Sequence, residues 1–449
     1  MNTDNVFADR RRRLAAQLGP NAVAIVPTAA PQPRNRDSEH PYRFDSYFYY
    51  LTGFTEPHAW LVLDHLGHST LFCQPKDLAR EIWDGYRLGP QDAPAALGVD
   101  QAHPVEALAA ELPKLLANQH TVWWPFATHS GLSEQVQGWL SEVRAQARSG
   151  VRCPQTQQDL CALLDEMRLI KDATEQGTMA RAARISAGAH RRAMQHCAQA
   201  LRQGQALREY HLEAELLHEF RRHGAQAPAY NSIVAAGANA CVLHYRADQG
   251  PINAGDLVLI DAGCELDGYA SDITRTFPAN GRFSDAQRDV YAVVLAAQQA
   301  AVATTRAGMR FDDVHQSALR VLCQGMLDLK LLPRATYGDV DAVMQSRAYT
   351  DFYMHRTSHW LGLDVHDAGA YTEADTDDTS GTRASRVLQP GMMLTIEPGL
   401  YIRPDSQAPE ALRGIGIRIE DDARVTASGC ELLTRDVPVA IDAIEALMA

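Results

Sequence analysis

Short apolar runs alternate with polar stretches through the first third of the chain. The segments 22–27 and 59–64 are short and almost entirely apolar, which is typical of buried strands. The polar and apolar residues of 106–118 have helical spacing. This alternation predicts that the first part of the chain is an α/β domain.

The pattern changes at 163–172, after which an Ala-rich stretch predicts a long helix over 174–201. A chain of 449 residues also exceeds what one hydrophobic core usually supports. We therefore predict an N-terminal α/β domain over 1–168 and a second domain over 169–449.

The second domain is predicted to be α+β, because strand-like apolar runs are separated by amphipathic helices. The predicted strands are 256–261, 269–277, 392–397 and 416–420, and the predicted helices are 209–223, 285–306 and 312–329. Residues 372–386 have no periodicity and predict a polar, acidic loop.

Composition and charge restrict the classes of partner. The formal net charge of −13 argues against a nucleic-acid ligand, which would require a concentration of Lys and Arg. The eight cysteines are scattered without a C-x-x-C pair, as is usual for a reducing compartment. The charged amino terminus lacks the apolar h-region of a signal peptide, and no stretch approaches the apolar length of a membrane span. We expect a soluble cytoplasmic protein with no membrane partner.

Two acids are predicted to meet on one face of a hairpin. Asp267 and Gly268 are the preferred pair for a two-residue type I′ turn. Counting outward from this turn places Asp261 opposite Thr274 and Asp272 on the same face of the hairpin. Such diagonal neighbours are about 7 to 8 Å apart at the backbone. Their carboxylates could therefore converge on one cation, or on two cations about 4 Å apart.

A cation would offset the cost of burying Asp261 at the end of the run Leu-Val-Leu-Ile. The alternative is that each of these two acids caps a turn or pairs with Arg275 or Arg282. Both explanations remain open for either acid taken alone.

Two further acids repeat the arrangement, because Glu397 and Glu420 each end an apolar strand-like run. Arg418 shares a strand face with Glu420, so a local ion pair is the alternative. Three histidines, His355, His359 and His366, lie within twelve residues of one another and favour a catalytic cleft. The pattern does not choose the metal ligand among them.

Several segments in order resemble the Xaa-Pro aminopeptidases, also called aminopeptidase P. In the second domain they are Ile260–Gly263, Ser271–Phe277, His355–Asp367, Thr395–Gly399 and Gly414–Asp421. In the first domain they are Asp37–Arg43, Phe48–Phe54 and Ile82–Gly89, which are less similar to prolidase. The resemblance covers nearly the whole chain. It implies an α/β N-terminal domain followed by an α+β pita-bread (creatinase/aminopeptidase-like) catalytic domain.

The resemblance also implies the residues of a site that binds two divalent metal ions. Mn²⁺ is the expected metal, and Zn²⁺ and Co²⁺ are alternatives. Asp272 and Glu420 would bridge the two ions. The five implied metal ligands are Asp261, Asp272, His359, Glu397 and Glu420. A second set of active-site residues would comprise His244, His355, His366 and Arg418.

The implied reaction is release of the N-terminal residue from peptides with proline in second position. A hydroxide shared by the two ions would attack the Xaa-Pro bond, Glu397 would shuttle the proton, and His366 would stabilise the oxyanion. His244 and His355 would shape the proline subsite, and Arg418 would orient carboxylates.

We also expect a homodimer or homotetramer in which Trp83 reaches a neighbouring subunit's cleft. Simple packing within its own chain is the alternative for this side chain.

Two departures from the family pattern leave all the implied ligands in place. Arg356 stands where relatives often have Gly, and the 372–386 loop is longer than usual. We hypothesise that the acids of this loop, Glu373, Asp375, Asp377 and Asp378, bias substrate selection. Two other functions remain open, namely an Xaa-Pro dipeptidase (prolidase) and a metal-free peptide-binding relative.

Overall fold

The computed structural model describes residues 4–246, 249–373 and 383–449. The chain divides into two compact units, Met1–Met167 and Arg168–Ala449, so the division falls one residue before the predicted domain boundary. Of the four acids in the predicted substrate-selecting loop, Asp375, Asp377 and Asp378 lie outside the described residues. Among the described residues, no helix is both long enough and apolar enough to span a bilayer.

The first unit is built on a six-stranded mixed sheet. Its strands are β1 (Ala22–Pro27), β2 (Pro33–Asn35), β3 (Ser38–Glu39), β4 (Trp60–Asp64), β5 (Ser69–Cys73), β6 (Gln101–Pro104), β7 (Thr121–Trp124) and β8 (Thr156–Asp159). The order in the sheet is β6-β5-β4-β1-β7-β8, and β2 pairs separately with β3.

The core of this unit includes Ile25 and Val122 of the sheet together with Leu112 and Trp139 of two helices. The helices of the unit are α1 (Asp4–Leu18), α2 (Ser46–Thr52), α3 (Leu78–Asp84), α4 (Gly89–Leu97), α5 (Leu108–Leu116), α6 (Leu132–Ala145) and α7 (Cys161–Leu169). Parallel and antiparallel pairs occur in the same sheet, which agrees with the predicted α/β class.

The helices of the second unit include four long ones, and α8 begins with a capping box formed by Asp172 and Glu175. They are α8 (Ala173–Arg202), α9 (Glu209–Arg222), α10 (Asp285–Thr304), α11 (Phe311–Asp328), α12 (Arg334–Tyr337), α13 (Val340–Ser346) and α14 (Ile441–Met448). The amphipathic patterns therefore predicted the long helices to within a few residues.

Short strands form several small sheets beside these helices. They are β9 (Leu207–Arg208), β10 (Ala227–Pro228), β11 (Ile233–Ala236), β12 (Pro251–Ile252), β13 (Leu257–Asp261), β14 (Cys264–Leu266), β15 (Tyr269–Ala270), β16 (Thr274–Pro278), β17 (Met393–Ile396), β18 (Gly399–Ile402), β19 (Ile415–Arg418), β20 (Asp421–Val425) and β21 (Cys430–Leu432). The three-stranded sheets have the orders β10-β14-β15, β11-β13-β16 and β17-β20-β21.

The predicted hairpin is confirmed with its register. Asp267 and Gly268 both have positive φ, 50° and 81°, as a type I′ turn requires. Asp261 is paired with Thr274 as expected.

The predicted strand 269–277 is wrong in one respect, because it breaks between β15 and β16. At this break a Cβ atom added to Gly263 would lie only 1.7 Å from the carbonyl oxygen of Ser271. The two backbones therefore approach so closely that only glycine fits at position 263. A similar correction applies to the predicted strand 416–420, which ends at Arg418, so that Glu420 lies in the junction before β20.

Candidate active site and metal centre

All nine site residues proposed from the sequence line one cavity of about 800 Å³ in the second unit. The acids reach it from four separate elements. Asp261 is the last residue of β13, Asp272 lies between β15 and β16, Glu397 follows β17, and Glu420 lies between β19 and β20. Distant parts of the chain thus contribute to one site.

Three of these residues form a cluster with the spacing of metal ligands. Asp272, His359 and Glu420 each offer a ligand atom, and these atoms all lie within 4.8 Å of one another. The carboxylates of Asp272 and Glu420 are almost fully buried, with 5% and 2% of their residue surface exposed.

The His359 ring is oriented by the backbone. Its Nδ1 is 2.9 Å from the carbonyl oxygen of Trp360, which can only accept, so Nδ1 carries the proton and Nε2 faces the acids. Nε2 lies 3.4 Å from Asp272 Oδ2 and 3.7 Å from Glu397 Oε1. Burial opposes the charged ring, but the bond to Asp272 and the charge of Glu397 raise the pKa of His359 to about 9.

Arg418 connects the acids to the surrounding polar groups. Its guanidinium donates to Asp261 Oδ2 at 2.6 Å, to Thr274 Oγ1 at 3.0 Å and to the Tyr401 hydroxyl at 3.0 Å. The Thr274 hydroxyl in turn donates to Glu420 Oε2 at 2.6 Å. Arg418 therefore fixes Asp261 directly and Glu420 through Thr274.

The ion pairs considered as alternatives for these acids are wrong, because each arginine pairs with a different acid. Arg275 bonds to Asp421 and Arg282 bonds to Glu445, so neither arginine neutralises the two hairpin aspartates. The ion pair of Arg418 is with Asp261, whereas a pair with Glu420 was the alternative considered.

Tyr230 is a site residue that the sequence gave no reason to select. Its hydroxyl oxygen lies 2.6 Å from Asp261 Oδ1 and 2.5 Å from Asp272 Oδ1, so its single proton is shared between the two carboxylates. The residue lies just before β11, whose Ile233 is paired with Asp261. Only the pairing of β11 with β13 brings this side chain to the acids, and no local pattern predicts that pairing.

The crowding of acids makes the cavity suited to cations. Burial, reinforced by the charges of Asp272 and Glu397, raises the pKa of Glu420 well above its usual range. Burial also raises the pKa of Glu397 to about 7, although the charges of His359 and Arg418 oppose the shift. A divalent ion would remove this mutual repulsion. An oxygen-rich set with one imidazole fits hard or borderline ions such as Mn²⁺.

The remaining histidines differ in how firmly they are held. His355 Nδ1 is 2.7 Å from the carbonyl oxygen of Arg356, so Nε2 accepts from the Tyr401 hydroxyl at 2.8 Å. Burial, together with the charge of Arg418, lowers the pKa of His355 to about 3, and the ring is neutral. His244 and His366 are exposed side chains that line the cavity. The rings of His366 and His359 are 4.3 Å apart.

Arg356, the departure from the family pattern, also lines the cavity and bonds to Asp312. Glu373, the described acid of the predicted selecting loop, accepts the backbone N–H of Val387 at 2.8 Å.

Comparison with known proteins identifies the fold and the family. The model of metallopeptidase family M24 matches residues 177–427, and that of the aminopeptidase P N-terminal domain matches residues 7–123. The Xaa-Pro aminopeptidase of Escherichia coli is 44% identical over 446 residues, which cover 98% of this chain and 97% of that protein.

Solved structures agree with these matches. An aminopeptidase of Pseudomonas aeruginosa has a TM-score of 0.94 and 46% identity, covering 99% of this chain and 98% of that one. The zinc-substituted aminopeptidase P of E. coli in complex with product has a TM-score of 0.92 and 43% identity, covering 99% and 98%. These matches confirm the predicted α/β N-terminal domain and α+β pita-bread catalytic domain. The chain belongs to metallopeptidase family M24, in its aminopeptidase P group.

Proposed function

We propose that the chain is a metal-dependent aminopeptidase that releases the N-terminal residue from peptides with proline in second position. The observation that carries the proposal is the buried cluster of Asp272, His359 and Glu420 in the wall of a peptide-sized cavity. The names of its relatives favour this activity over that of a dipeptidase.

Five residues would hold two divalent ions. They are Asp261, Asp272, His359, Glu397 and Glu420. We propose Mn²⁺ as the native metal, with Zn²⁺ and Co²⁺ as alternatives, because the ligand set is rich in carboxylate oxygens. When bound, the ions would supply Lewis acidity toward water and the scissile carbonyl.

The residues around the ions would move the proton and stabilise developing charge. Glu397 would take a proton from the attacking water and return it to the proline nitrogen. His366 would donate a hydrogen bond to the oxyanion from its exposed position on the cavity wall. Arg418 would keep Asp261 oriented through its 2.6 Å bond.

Recognition of proline depends on a pocket that fits its ring, because the peptide bond before proline has no N–H for an enzyme to bind. His244 and His355 would form the subsite for the ring. His355 suits this role because its two nitrogens are already engaged by Arg356 and Tyr401, so it presents a fixed, neutral face.

Assembly into a homodimer or homotetramer is part of the proposal. Helix α3 and the residues after it expose four large side chains, namely Leu78, Ile82, Trp83 and Tyr86 at 80%, 83%, 84% and 95%. Such a patch is unusual on a monomer and fits a subunit contact. The exposure of Trp83 favours a subunit contact over packing within its own chain, and we propose that it approaches a neighbouring subunit's cleft. We also retain the cytoplasm as the proposed compartment.

One assay tests the activity, the metal and the substrate length together. Metal-stripped protein is reconstituted with Mn²⁺, Zn²⁺ or Co²⁺ and given Gly-Pro, Gly-Pro-Pro and Gly-Ala-Ala. We expect release of glycine from Gly-Pro-Pro, fastest with Mn²⁺, and little from Gly-Ala-Ala. Cleavage of Gly-Pro but not of Gly-Pro-Pro would identify a prolidase instead. Fewer than one bound ion per chain, together with no hydrolysis of any peptide, would favour the metal-free binding protein.

The variant Glu397→Gln serves as a control for contaminating peptidases. It keeps the side-chain volume but removes the carboxylate that would transfer the proton, so it should lose almost all activity. Retention of wild-type activity by this variant would contradict the role proposed for Glu397.

A further inference from the structure

The loop that carries His366 contains no helix or strand from residue 361 to residue 371. His366 nevertheless reaches the cavity wall. Since no ladder of backbone bonds fixes this loop, the position of the ring depends on contacts made by its neighbours in the sequence.

The neighbouring residue, Asp367, is the buried anchor of the loop. Its side chain is 1% exposed and accepts from Lys171 Nζ and from Arg168 Nη2, both at 2.6 Å. It also accepts the backbone N–H of Asp364 at 3.2 Å. A buried carboxylate with two cationic partners is held far more firmly than an exposed ion pair.

The same anchor is linked to His359. The backbone N–H of Asp367 donates to the carbonyl oxygen of Trp360 at 2.9 Å. That oxygen also accepts from His359 Nδ1 at 2.9 Å. Asp367 and His359 therefore share one acceptor, the carbonyl oxygen of Trp360.

Close packing leaves the anchor little freedom. A Cβ atom added to Gly362 would lie 2.2 Å from Asp367 Oδ2 and 2.9 Å from Lys171 Cε. The carbonyl oxygen of Gly362 accepts from the backbone N–H of Ala270 at 2.8 Å, two residues before Asp272. The anchor thus lies against the strand that delivers one of the site carboxylates.

We propose that Arg168 and Lys171, which precede the matched M24 region, are positioning residues for the reaction. By pairing with Asp367 they hold the loop so that His366 faces the substrate. This inference rests on the function proposed above.

A double-mutant cycle between Lys171→Met and His366→Ala tests the inference. Lys171→Met leaves Arg168 paired with Asp367, so the carboxylate keeps one cation. We expect kcat for Gly-Pro-Pro to fall about 10- to 100-fold, as is usual when an outer partner of a site residue is lost. KM should change little, because His366 acts on the transition state. In the His366→Ala background, Lys171→Met should have a much smaller effect on kcat.

The matched control is Glu445→Gln. Glu445 is also a buried carboxylate, bonded to Arg282, Arg288 and the backbone N–H of Phe283. We expect Glu445→Gln to lower the melting temperature but to leave kcat for Gly-Pro-Pro unchanged. If Lys171→Met lowers kcat no more than this control, or by the same factor with and without His366, the inference is wrong.

A milder variant covers the case in which Lys171→Met does not fold. Asp364→Ala removes a half-exposed partner of Arg168, 2.8 Å away, and should lower kcat in the same His366-dependent manner. An equal effect in both backgrounds would again overturn the inference. An inactive wild-type enzyme would instead refute the proposed function, so the two failures are distinguishable.

Discussion

Replacing Tyr230 by phenylalanine should weaken metal binding while leaving the fold intact. The change deletes one hydroxyl, whose single proton lies between Asp261 Oδ1, 2.6 Å from the oxygen, and Asp272 Oδ1, 2.5 Å from it. Burial, reinforced by the charges of both acids, raises the pKa of Tyr230 well above its usual range, so the hydroxyl remains protonated. The phenyl ring that remains can fill the same space.

The magnitude follows from the charge of the acceptors. A hydrogen bond to a charged group contributes about 1.5 to 3 kcal/mol. Removal of a group that orients a metal ligand lowers metal affinity by about 10- to 100-fold. The two estimates agree, because a tenfold change corresponds to about 1.4 kcal/mol. We therefore expect the dissociation constant for Mn²⁺ to rise by about 10- to 100-fold in Tyr230→Phe.

Calorimetric titration of metal-free protein with Mn²⁺ measures this change directly. The matched control is Tyr291→Phe, which removes another buried hydroxyl, bonded to the carbonyl oxygen of Val439 at 2.9 Å. Tyr291→Phe should lower stability without changing the affinity. An unchanged dissociation constant in Tyr230→Phe, or equal weakening in both variants, would refute the reasoning from the shared hydroxyl.

Three further perturbations give separate readouts. Burial lowers the pKa of His190 to about 4, so its contribution to stability is present above the unfolded pKa of about 6.5 and is lost as pH falls. The difference between wild type and His190→Gln in urea unfolding should therefore change by about 3 kcal/mol between the two pKa values, and a pH-independent difference would contradict this. Gly263→Ala places a Cβ atom 1.7 Å from the carbonyl oxygen of Ser271 and should destabilise the folded protein by about 3 kcal/mol. The control Gly177→Ala, whose Cβ would meet no atom within 4 Å, should stabilise the fold slightly, and calorimetric melting distinguishes the two variants. Arg418→Lys keeps the charge but loses the guanidinium fork, and kcat/KM should fall about 10-fold or more; activity equal to wild type would show that charge alone suffices.

Features set by local chemistry were predictable from the sequence. The Asp267-Gly268 turn fixes the register of the hairpin, and this register places Asp261 opposite Thr274. An Asp-Gly pair favours one turn type, and a turn type allows one register. The long helices were predictable for a similar reason, because apolar spacing and caps lie within the segment itself.

Features set by contacts between distant segments were not predictable in this way. The alternatives to a ligand role for Asp261 were a turn cap or a pair with Arg275 or Arg282. Asp261 instead pairs with Arg418, which lies 157 positions away in the chain. Tyr230 reaches the same acid only because β11 pairs with β13.

The choice among the three histidines shows where sequence reasoning stops. His355, His359 and His366 are close together in the sequence, so spacing cannot rank them. In the structure their backbone and hydroxyl partners separate them. Both ring nitrogens of His355 are hydrogen-bonded, one to the backbone of Arg356 and the other to Tyr401. In His359 only Nδ1 is bonded to a backbone carbonyl, and Nε2 is directed at Asp272 and Glu397. The ligand is therefore distinguished by which nitrogen stays available, a property that the fold decides and composition does not.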